Sequence, residues 1–344
     1  MIYIYAPTIK EGGGKVVLQY TLKLLQGKSY VALITKEVLK VNWLQGQRVK
    51  VITPGFLSRL KAEFWLFKNV EINDSVICMG NLPPIFKLKS KVIVYLQNAF
   101  LIDPLFKNLS TSDFFKYSLL KIFFIFFSRN VNLYLVQTNL MKEEFLSKFG
   151  INYRVEVLPF VEMKSIFERD FINDCKKITP KYDFIYVASG EKHKNHIRLI
   201  DAWIFLAKQN LYPSLCLTLN LTQSRVLEEK IHDAISKYGV KISNVGHVSR
   251  NKVYELYVSS GALIYPSLVE SFGIPLMEAE AASIGIVASE LDYVRELVDP
   301  NETFNPYSPR SIASAVKRYM KIELNTNNYV SVEESSEMLK KVFL

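Results

Sequence analysis

Short apolar segments alternate with longer segments of helical period along the chain, and this alternation restricts the fold more than any other feature. Strand followed by helix, with apolar strands, is typical of a mostly parallel sheet covered by helices on both faces. A first series of this kind occupies the first half of the chain. It has predicted strands at 2–5, 31–34, 49–52, 75–79, 92–96 and 132–136, and predicted helices at 16–25, 113–127 and 139–149.

A second series occupies the other half. The segment between the two, at 159–181, loses its periodicity and accumulates Asp, Lys and Pro, as expected of a linker. The sequence therefore predicts an α/β protein of two Rossmann-like domains, 1–165 and 166–344, that face a central cleft at the carboxyl ends of their strands. The second series has predicted strands at 183–188, 215–220, 240–245 and 262–265, and predicted helices at 195–208, 225–237, 253–259, 274–282 and 311–320.

The composition excludes several classes of protein. The 344 residues are 49% hydrophobic and 22% charged, unlike a disordered tail, a collagen-like fibre or a disulfide-stapled small domain. The N-terminus lacks the features of a signal peptide, and no apolar run is long enough to predict a membrane-spanning helix. The three cysteines form no CxxC pair, which argues against a zinc site or a disulfide framework and favours a reducing, cytoplasmic compartment.

The basic excess lies in the first half of the chain. Residues 1–165 contain 22 Lys and Arg against 11 Asp and Glu, whereas residues 166–344 contain 21 against 22. Such an asymmetry indicates an anionic partner for the first half, such as a membrane surface, a nucleic acid or an acidic acceptor. The alternative is a lysine-rich, solvated surface. No nucleic-acid-binding motif accompanies the charge, so nucleic acid is not expected as the partner.

A very apolar helix is predicted at 113–130, with Lys116 and Lys121 spaced among phenylalanines. Two interpretations of this helix are open. It could lie in a membrane interface, with its basic residues near the headgroups. It could instead be a core helix whose two lysines reach the solvent. The positive charge of this half favours the membrane.

Two further segments follow predicted strands and open helices. Three glycines at 12–14 would form a turn with positive φ and no Cβ atoms, which lets a phosphate or a sugar approach the helix N-terminus. The segment 190–195 (GEKHKN) places Lys192 and Lys194 where the helix dipole disfavours a cation, which indicates an anionic ligand such as a diphosphate. A plain turn and a solvated lysine pair are the alternatives.

The segment 266–282 (PSLVESFGIPLMEAEAA) has the most specific pattern. Glu270 is predicted in the loop after a strand, and Glu278 one turn into a helix with Pro275 in its first turn. Both carboxylates can then face the same cleft. A carboxylate is a good acceptor for vicinal hydroxyls, as the acidic residue that holds the ribose in dinucleotide-binding folds shows.

These residues resemble the donor-binding segment of the family 4 glycosyltransferases, which have the GT-B fold. The family hallmark is a Glu, seven residues and a second Glu, with Phe-Gly-x-Pro between them, and the chain has Glu270-SFGIPLM-Glu278. The segments 190–203 and 246–267 are also similar to the family. The resemblance covers most of the second half and reaches the first half loosely, through the opening strand, the glycine turn and 94–103 (VYLQNAFLID).

The resemblance implies roles for the matching residues. Glu278 would bind the ribose hydroxyls of a nucleotide sugar, and Glu270 would hold hydroxyls of the transferred sugar. Lys194 would stabilise the leaving diphosphate, and with Glu270 it would form the catalytic pair. No metal or other cofactor is implied, because cationic side chains and a helix N-terminus supply the positive charge. The other donor-binding residues implied are Ser271, Phe272, Gly273, Asn195, Lys192, Gly13 and Gly14.

Two positions depart from the family pattern. The family pairs the lysine with an arginine five residues earlier, and that position is Ser189, so Lys192 is the candidate replacement. Many members place a histidine near the sugar in the first domain, but the first half of this chain contains none. Gln97 and Asn98, after a predicted strand, occupy the expected place and are the candidates on the acceptor and sugar side.

The resemblance implies a retaining glycosyltransferase that moves a sugar from a nucleotide sugar to a glycan acceptor. The basic first half extends this to a lipid-linked oligosaccharide at the inner face of the cytoplasmic membrane, in O-antigen, capsule or exopolysaccharide assembly. Ser189 and the missing histidine motivate an alternative, a non-catalytic protein of this fold that binds a glycan or a partner protein. A nucleotide-sugar epimerase is a third candidate, but it would need acid–base groups in the first half.

Overall fold

The computed structural model describes residues 1–322 except 11, 40–43, 45, 54, 103–110, 160–179 and 221–223. The predicted domain boundary at 165 and most of the predicted linker lie outside the described residues. Within them, the chain forms two parallel sheets flanked by helices.

The first sheet uses only the first half of the chain. Its strands are β1 (Ile2–Ala6), β2 (Tyr30–Thr35), β3 (Arg48–Ile52), β4 (Ser75–Cys78), β5 (Lys91–Tyr95), β6 (Leu133–Val136) and β7 (Val155–Val157). They are ordered β3-β2-β1-β4-β5-β6-β7, and every neighbouring pair is parallel. The helices of this half are α1 (Gly12–Leu24), α2 (Phe56–Asn69), α3 (Thr111–Phe127) and α4 (Asn139–Phe149).

The second sheet repeats this topology. Its strands are β8 (Tyr182–Tyr186), β9 (Leu215–Leu217), β10 (Ile242–Asn244), β11 (Ser260–Tyr265), β12 (Gly285–Ser289) and β13 (Glu302–Phe304), ordered β10-β9-β8-β11-β12-β13 and parallel throughout. The helices are α5 (His196–Ala207), α6 (Arg225–Tyr238), α7 (Arg250–Val258), α8 (Ile274–Ala281), α9 (Asp292–Leu297) and α10 (Pro309–Tyr319).

The predicted elements of both series are present, with ends shifted by a few residues. Five elements were not predicted: α2, β7, β12, α9 and β13. In each sheet the chain winds outward from the first strand and then returns to its other side, which leaves a switch point between β1 and β4 and another between β8 and β11. Ligands bind at such points, outside the carboxyl ends of the strands.

Both faces of the first sheet are covered at its centre, which explains why β1 and β2 are continuous apolar runs rather than alternating ones. All six residues of β2 are buried. Tyr3 and Tyr5 pack into one buried cluster, whereas Ile4 and Ala6 pack into another on the opposite face. The side chains of a strand alternate between faces, so β1 contributes to both layers of the core.

The glycines at 12–14 do not form the predicted turn. They are the first residues of α1, and neither Gly13 nor Gly14 has a positive φ. A helical backbone suits any residue, so a positive φ is not what these positions require of glycine. A Cβ would also fit: one on Gly13 would lie 3.4 Å from Ile274 Cδ1 and one on Gly14 would lie 3.4 Å from Gln97 Oε1, both at van der Waals contact.

Helix α3 has the buried face that the core interpretation requires, and its placement in a membrane interface stays a prediction. Phe124 is 1% exposed, and its ring packs against Tyr134 and Phe145, as expected of a core helix. On the opposite side, Ile122 and Phe126 are 64% and 62% exposed. One face is therefore core, and the other is apolar yet open. Within the part of the chain that the structure describes, no helix combines the length and apolarity needed to cross a bilayer.

Side chains of the second half contact the first half directly. Phe272 is 4% exposed and belongs to a buried cluster made otherwise of first-half residues such as Ile9 and Val17. The Glu296 carboxylate accepts hydrogen bonds from the backbone N–H groups of Asn139 and Leu140 at the start of α4. A helix N-terminus favours a carboxylate because its first N–H groups are unpaired and the dipole is positive there.

Candidate functional site

The predicted site residues lie in four loops or helix starts that follow the carboxyl ends of strands. In the first sheet, the start of α1 follows β1, and the loop at 96–98 follows β5. In the second sheet, the segment 187–195 follows β8, and the segment 266–273 follows β11. Because β8 and β11 are neighbours at the switch point, the two second-half segments are adjacent.

A buried ion pair joins these two segments. Lys194 Nζ lies 2.7 Å and 2.9 Å from the two carboxylate oxygens of Glu270, and the side chains are 17% and 11% exposed. The Tyr265 hydroxyl donates to Glu270 Oε1 over 2.7 Å. The two residues that the sequence pattern predicted as a catalytic pair are therefore in direct contact.

The charge of Lys194 determines the ionisation of Glu270. Burial alone would raise the pKa of Glu270, but the charge and hydrogen bonds of Lys194, with a hydrogen bond from Ser267 and the nearby His193, together hold the pKa below its usual value. The carboxylate is therefore ionised at neutral pH and can only accept hydrogen bonds. An ionised acceptor beside a cation suits a ligand that presents both hydroxyl donors and an anionic group.

Asn195 fixes the position of Lys194. Its Nδ2 donates to the backbone carbonyls of Pro266 over 3.0 Å and Pro306 over 2.7 Å, and its Oδ1 accepts from Arg198 Nη1. The residue is 3% exposed and has a left-handed backbone, with φ 63°. Asparagine tolerates this conformation better than most residues. Its amide is thus engaged in structure, and its predicted part in donor binding stays a prediction.

Backbone contacts complete the junction between the two segments. The Leu268 N–H donates to the His193 carbonyl over 2.8 Å, and the Tyr186 hydroxyl donates to the Lys194 carbonyl over 2.8 Å. Residues 192–194 form a single 3-10 turn, and α5 begins only at His196. The two lysines therefore precede the helix instead of lying in its first turn as predicted, because the left-handed Asn195 intervenes.

Glu278 lies one turn into α8, as predicted, and is held by two partners. Arg250 Nη2 lies 2.9 Å from Glu278 Oε1, and the Tyr257 hydroxyl donates to Oε2 over 3.1 Å. Glu278 is 4% exposed. Burial raises the pKa of Glu278, and Arg250 and Tyr257 offset only part of the increase. The two glutamates thus have opposite pKa shifts.

The turn between the glutamates follows the predicted pattern. Gly273 has φ 68° and is the residue before α8, and the Leu276 N–H donates to its carbonyl. A left-handed residue at this point favours glycine. Ser271 precedes it on the half-buried side of the turn, and Phe272 is buried against the first half. The roles of these three residues in binding a sugar stay predictions.

The first half supplies the opposite wall. Gly13 approaches Ile274 at the start of α8, and Gly14 approaches Gln97. Ala99, in the same loop as Gln97 and Asn98, is buried together with Leu268 and Val269 of the Glu270 loop. The structure therefore brings the acceptor-side candidates to the glutamate loop. The Gln97 amide nitrogen is buried and has no hydrogen-bond partner among the described residues.

Ser189, at the position of the family arginine, and Lys192, its candidate replacement, have different surroundings. Ser189 donates its hydroxyl hydrogen to the Glu191 carboxylate, and Lys192 is exposed. The substitution of Lys192 for the family arginine stays a prediction. Nearby, burial lowers the pKa of His196 to about 3, so its imidazole is neutral and packs on the Tyr186 ring. Among the described residues, no three His, Cys, Asp or Glu side chains come together as a metal-ligand set.

Sequence reasoning missed the partners that hold the two glutamates. Arg250 and Tyr257 belong to α7, and Tyr265 ends β11. Only Tyr265 is close to the motif in sequence. Arg250 lies 28 residues before Glu278, and nothing local in the sequence connects them. A buried carboxylate needs a partner, which predicts that one exists but not which residue it is.

Residues 168–336 match the family described as glycosyl transferases group 1. The second half of the chain is similar to this family. The matched range contains Lys194, Glu270, Glu278 and Arg250.

The curated proteins that this chain resembles are O-antigen mannosyltransferases. This chain is 29% identical over 183 residues to the O-antigen chain mannosyltransferase RfbU of Salmonella typhimurium. The matched segment covers 52% of this chain and 50% of the relative. The chain is 26% identical over 147 residues to O-antigen chain mannosyltransferase B of Escherichia coli, which covers 38% of this chain and 37% of the relative. The matches thus span half or less of the relatives' length.

Solved structures of GT-B glycosyltransferases share the fold over both halves. HepE of Anabaena, solved with UDP and glucose, has a TM-score of 0.70 at 14% identity. The match covers 93% of this chain and 89% of the HepE chain. A UDP-forming trehalose-phosphate synthase of Burkholderia vietnamiensis has a TM-score of 0.65 at 13% identity and covers 100% of this chain and 99% of its own. The predicted GT-B fold is confirmed.

Asn195→Ala is expected to destabilise the protein by about 2–4 kcal/mol. It leaves the buried carbonyls of Pro266 and Pro306 without donors and places a Cβ-bearing residue with no polar side chain at a left-handed φ. Urea denaturation measures the loss. Asn195→Gly also lacks the two hydrogen bonds, but it relieves the strain of the left-handed backbone. It should therefore be about 1 kcal/mol more stable than Asn195→Ala. Unfolding of Asn195→Ala at the wild-type midpoint would contradict this role.

Arg250→Ala is expected to cost more stability at neutral pH than in mild acid. The raised pKa of Glu278 means that the folded state holds the proton more tightly than the unfolded state, so the carboxylate costs stability once the pH exceeds that pKa. Removing Arg250 should lower the free energy of unfolding by about 1–2 kcal/mol more at neutral pH than in mild acid. This is less than for a fully buried pair, because the Arg250 side chain is 34% exposed. Urea denaturation at about pH 5 and about pH 8 measures the difference.

Glu278→Gln in the Arg250→Ala background is the matched control. It removes the carboxylate whose charge Arg250 compensates. The extra cost at neutral pH and its pH dependence should then disappear. A cost that the second substitution leaves unchanged would assign the contribution of Arg250 to its packing on the Tyr254 ring.

Proposed function

We propose that this chain is a retaining glycosyltransferase that moves a hexose from a nucleotide sugar to a glycan acceptor. The observation that carries the proposal is the buried Lys194–Glu270 pair at the carboxyl ends of two neighbouring strands. The proposal extends to a lipid-linked acceptor at the cytoplasmic face of the membrane, in the assembly of a bacterial surface polysaccharide.

Lys194 is assigned to the leaving diphosphate. Glycosyl transfer develops oxocarbenium character on the sugar and negative charge on the departing phosphate. A cation that is already fixed in a partly dry site stabilises such charge without reorganising. Lys194 meets this condition, because its backbone is held by Tyr186 and its side chain is 17% exposed. The proposal uses this side chain and helix N-terminal N–H groups, and no metal ion, to balance the charge.

The two glutamates are assigned to different hydroxyl pairs of the donor. Glu270 is ionised and lies beside Lys194, so it can accept from hydroxyls of the sugar next to the diphosphate. Glu278 lies eight residues further on, one turn into α8, and is assigned to the ribose. Arg250 keeps this carboxylate oriented through one oxygen.

Residues of the first half are assigned to the other side of the sugar. Gly13 and Gly14 carry no side chain that would block approach to the first turn of α1, whose N–H groups can bind a phosphate oxygen. Gln97 offers a buried amide N–H without a partner among the described residues, which suits a sugar hydroxyl. Asn98 follows Gln97 in the same loop.

The comparisons favour particular donors. The named relatives are O-antigen mannosyltransferases, and HepE was solved with UDP and glucose. We therefore place mannose and glucose first among the sugars, and test them on more than one nucleotide. A second candidate function is a non-catalytic glycan-binding protein of this fold. It is favoured by Ser189, which stands where the family has an arginine and donates to Glu191 instead.

The decisive measurement is nucleotide release from UDP-, GDP- and dTDP-sugars, with and without a glycan acceptor. One donor should be consumed, and Glu270→Ala should lower kcat by about 10²–10³-fold, the usual cost of losing one charged contact to a transition state. Glu280→Ala is the matched control, because Glu280 is exposed on the same helix as Glu278. The anomeric configuration of the product, read by NMR, tests retention.

The same panel separates the two candidate functions. Release that Glu270→Ala abolishes and Glu280→Ala preserves would support the transferase. Thermal stabilisation by a nucleotide without any turnover would favour the binding protein. Release of equal rate in wild type and Glu270→Ala would contradict the site assignment.

A further inference from the structure

Six apolar side chains of α2 and α3 are exposed on the surface of the first half. They are 43–68% exposed, although burying each apolar side chain would be favourable in free energy. We call this surface the aromatic face; it consists of Phe64, Phe67, Leu119, Ile122, Ile125 and Phe126. Single exposed apolar residues need no explanation, but a contiguous group on adjacent helices indicates a binding surface.

Aromatic contacts make the face continuous along α2. The Phe86 ring lies 6.0 Å from the Phe64 ring and 5.7 Å from the Phe67 ring. Phe86 belongs to the loop at 81–90, which therefore extends the apolar surface beyond α2. The Arg59 guanidinium lies 5.0 Å from the Phe123 ring, so α2 and α3 are also in contact.

The end of α3 is tied to the same loop. The Asn130 amide donates to the carbonyls of Pro84 over 2.9 Å and Ile85 over 3.0 Å. The exposed residues of α3 occupy the face opposite Phe124, which is buried in the core. Helix α3 is thus fixed by its inner face, and its outer face is exposed among the residues that the structure describes.

The charge around the aromatic face has one sign. Residues 56–69, 81–90 and 117–130 contain seven Lys and Arg and one acidic residue, Glu63. Glu63 is 1% exposed and paired with Arg59, so it contributes no free negative charge to the surface. Lys68 Nζ lies 4.5 Å from the Phe64 ring centre, and the Arg129 guanidinium lies 5.5 Å from that of Phe126. Cations therefore border the apolar side chains.

We propose that the aromatic face docks this protein on an anionic lipid bilayer. Apolar side chains can enter the boundary of the acyl chains while neighbouring lysines and arginines pair with headgroup phosphates. The charge favours this occupant over a second copy of the chain. Two copies joined through this face would bring two sets of cations together, and like charges across an interface oppose association.

The face is connected to the proposed acceptor side of the cleft. Helix α3 contacts the 3-10 turn Ala99–Leu101, which follows Gln97 and Asn98 directly. Docking α3 on a bilayer would bring this loop near the headgroups, where a lipid-linked acceptor presents its glycan. This consequence rests on the proposed function, whereas lipid binding itself does not.

Vesicle flotation tests the proposal with the full chain. The probes are vesicles of phosphatidylcholine alone and vesicles in which about a third of the lipid is phosphatidylglycerol. Wild type should float with the anionic vesicles, at least about tenfold more than with the neutral ones, and high salt should weaken the binding. Ile122→Glu with Phe126→Glu should lower binding to the anionic vesicles by at least about tenfold, because two charges enter the apolar surface.

Val226→Glu with Ile235→Glu is the matched control. These residues are 68% and 42% exposed on α6, in the other half, so the same chemical change there should leave flotation unaltered. Circular dichroism and thermal melting establish that both double variants are folded. Equal flotation of wild type and Ile122→Glu/Phe126→Glu, or no flotation of wild type, would overturn the proposal.

Two further measurements complete the test. Glu270→Ala should float like wild type, and Ile122→Glu/Phe126→Glu should retain donor-nucleotide release without a lipid acceptor, so failure of docking is distinguishable from failure of the proposed function. Sedimentation without lipid should show the same mass for wild type and the face variant. A wild-type dimer that the face variant abolishes would assign the face to a second copy and overturn the bilayer proposal.

Discussion

The side-chain amide of Asn195 is the interaction on which the second-half site depends. It joins the segment after β8 to carbonyls of two other loops, at Pro266 and Pro306, and it does so from a left-handed backbone. Because Lys194 precedes it directly, the same tie determines where the lysine side chain begins. Buried amide donors must be paired, so this junction has one favourable arrangement rather than several. The Lys194–Glu270 contact follows from that arrangement instead of creating it.

Two buried glutamates eight residues apart illustrate how surroundings, more than residue type, decide chemistry. Lys194 lowers the pKa of Glu270 despite burial, whereas burial prevails at Glu278 although Arg250 and Tyr257 contact it. The difference reflects the cation: Lys194 contacts both oxygens of Glu270, while Arg250 is partly solvated and contacts one oxygen of Glu278. The Glu270 carboxylate is therefore ionised at neutral pH, whereas the pKa of Glu278 lies above its usual value.

Local patterns predicted the parts of the structure that local chemistry determines. The glutamate motif could be found in sequence because a left-handed Gly273 and the start of α8 require particular residues at fixed spacing. Arg250 could not, since its contact with Glu278 depends on the packing of α7 beside β11. The glycines at 12–14 were misinterpreted as a turn because a run of glycines favours a turn locally, whereas in the structure they begin α1. Helix α2 was missed because Phe64 and Phe67 are apolar on its exposed side, which obscures the helical period.

The contact between the halves and the donor motif share residues, so they cannot change independently. Phe272 lies between the two glutamates in sequence, yet its side chain packs in the core of the first half, and Ile274, two residues further on, approaches Gly13. Glu296 adds a carboxylate at the start of α4. A movement that widened the cleft would expose Phe272 to water, at about 2 kcal/mol for a buried phenyl ring. The turn that carries Glu270 is therefore positioned by both halves together, and a substitution at Phe272 would alter the site by displacing this turn.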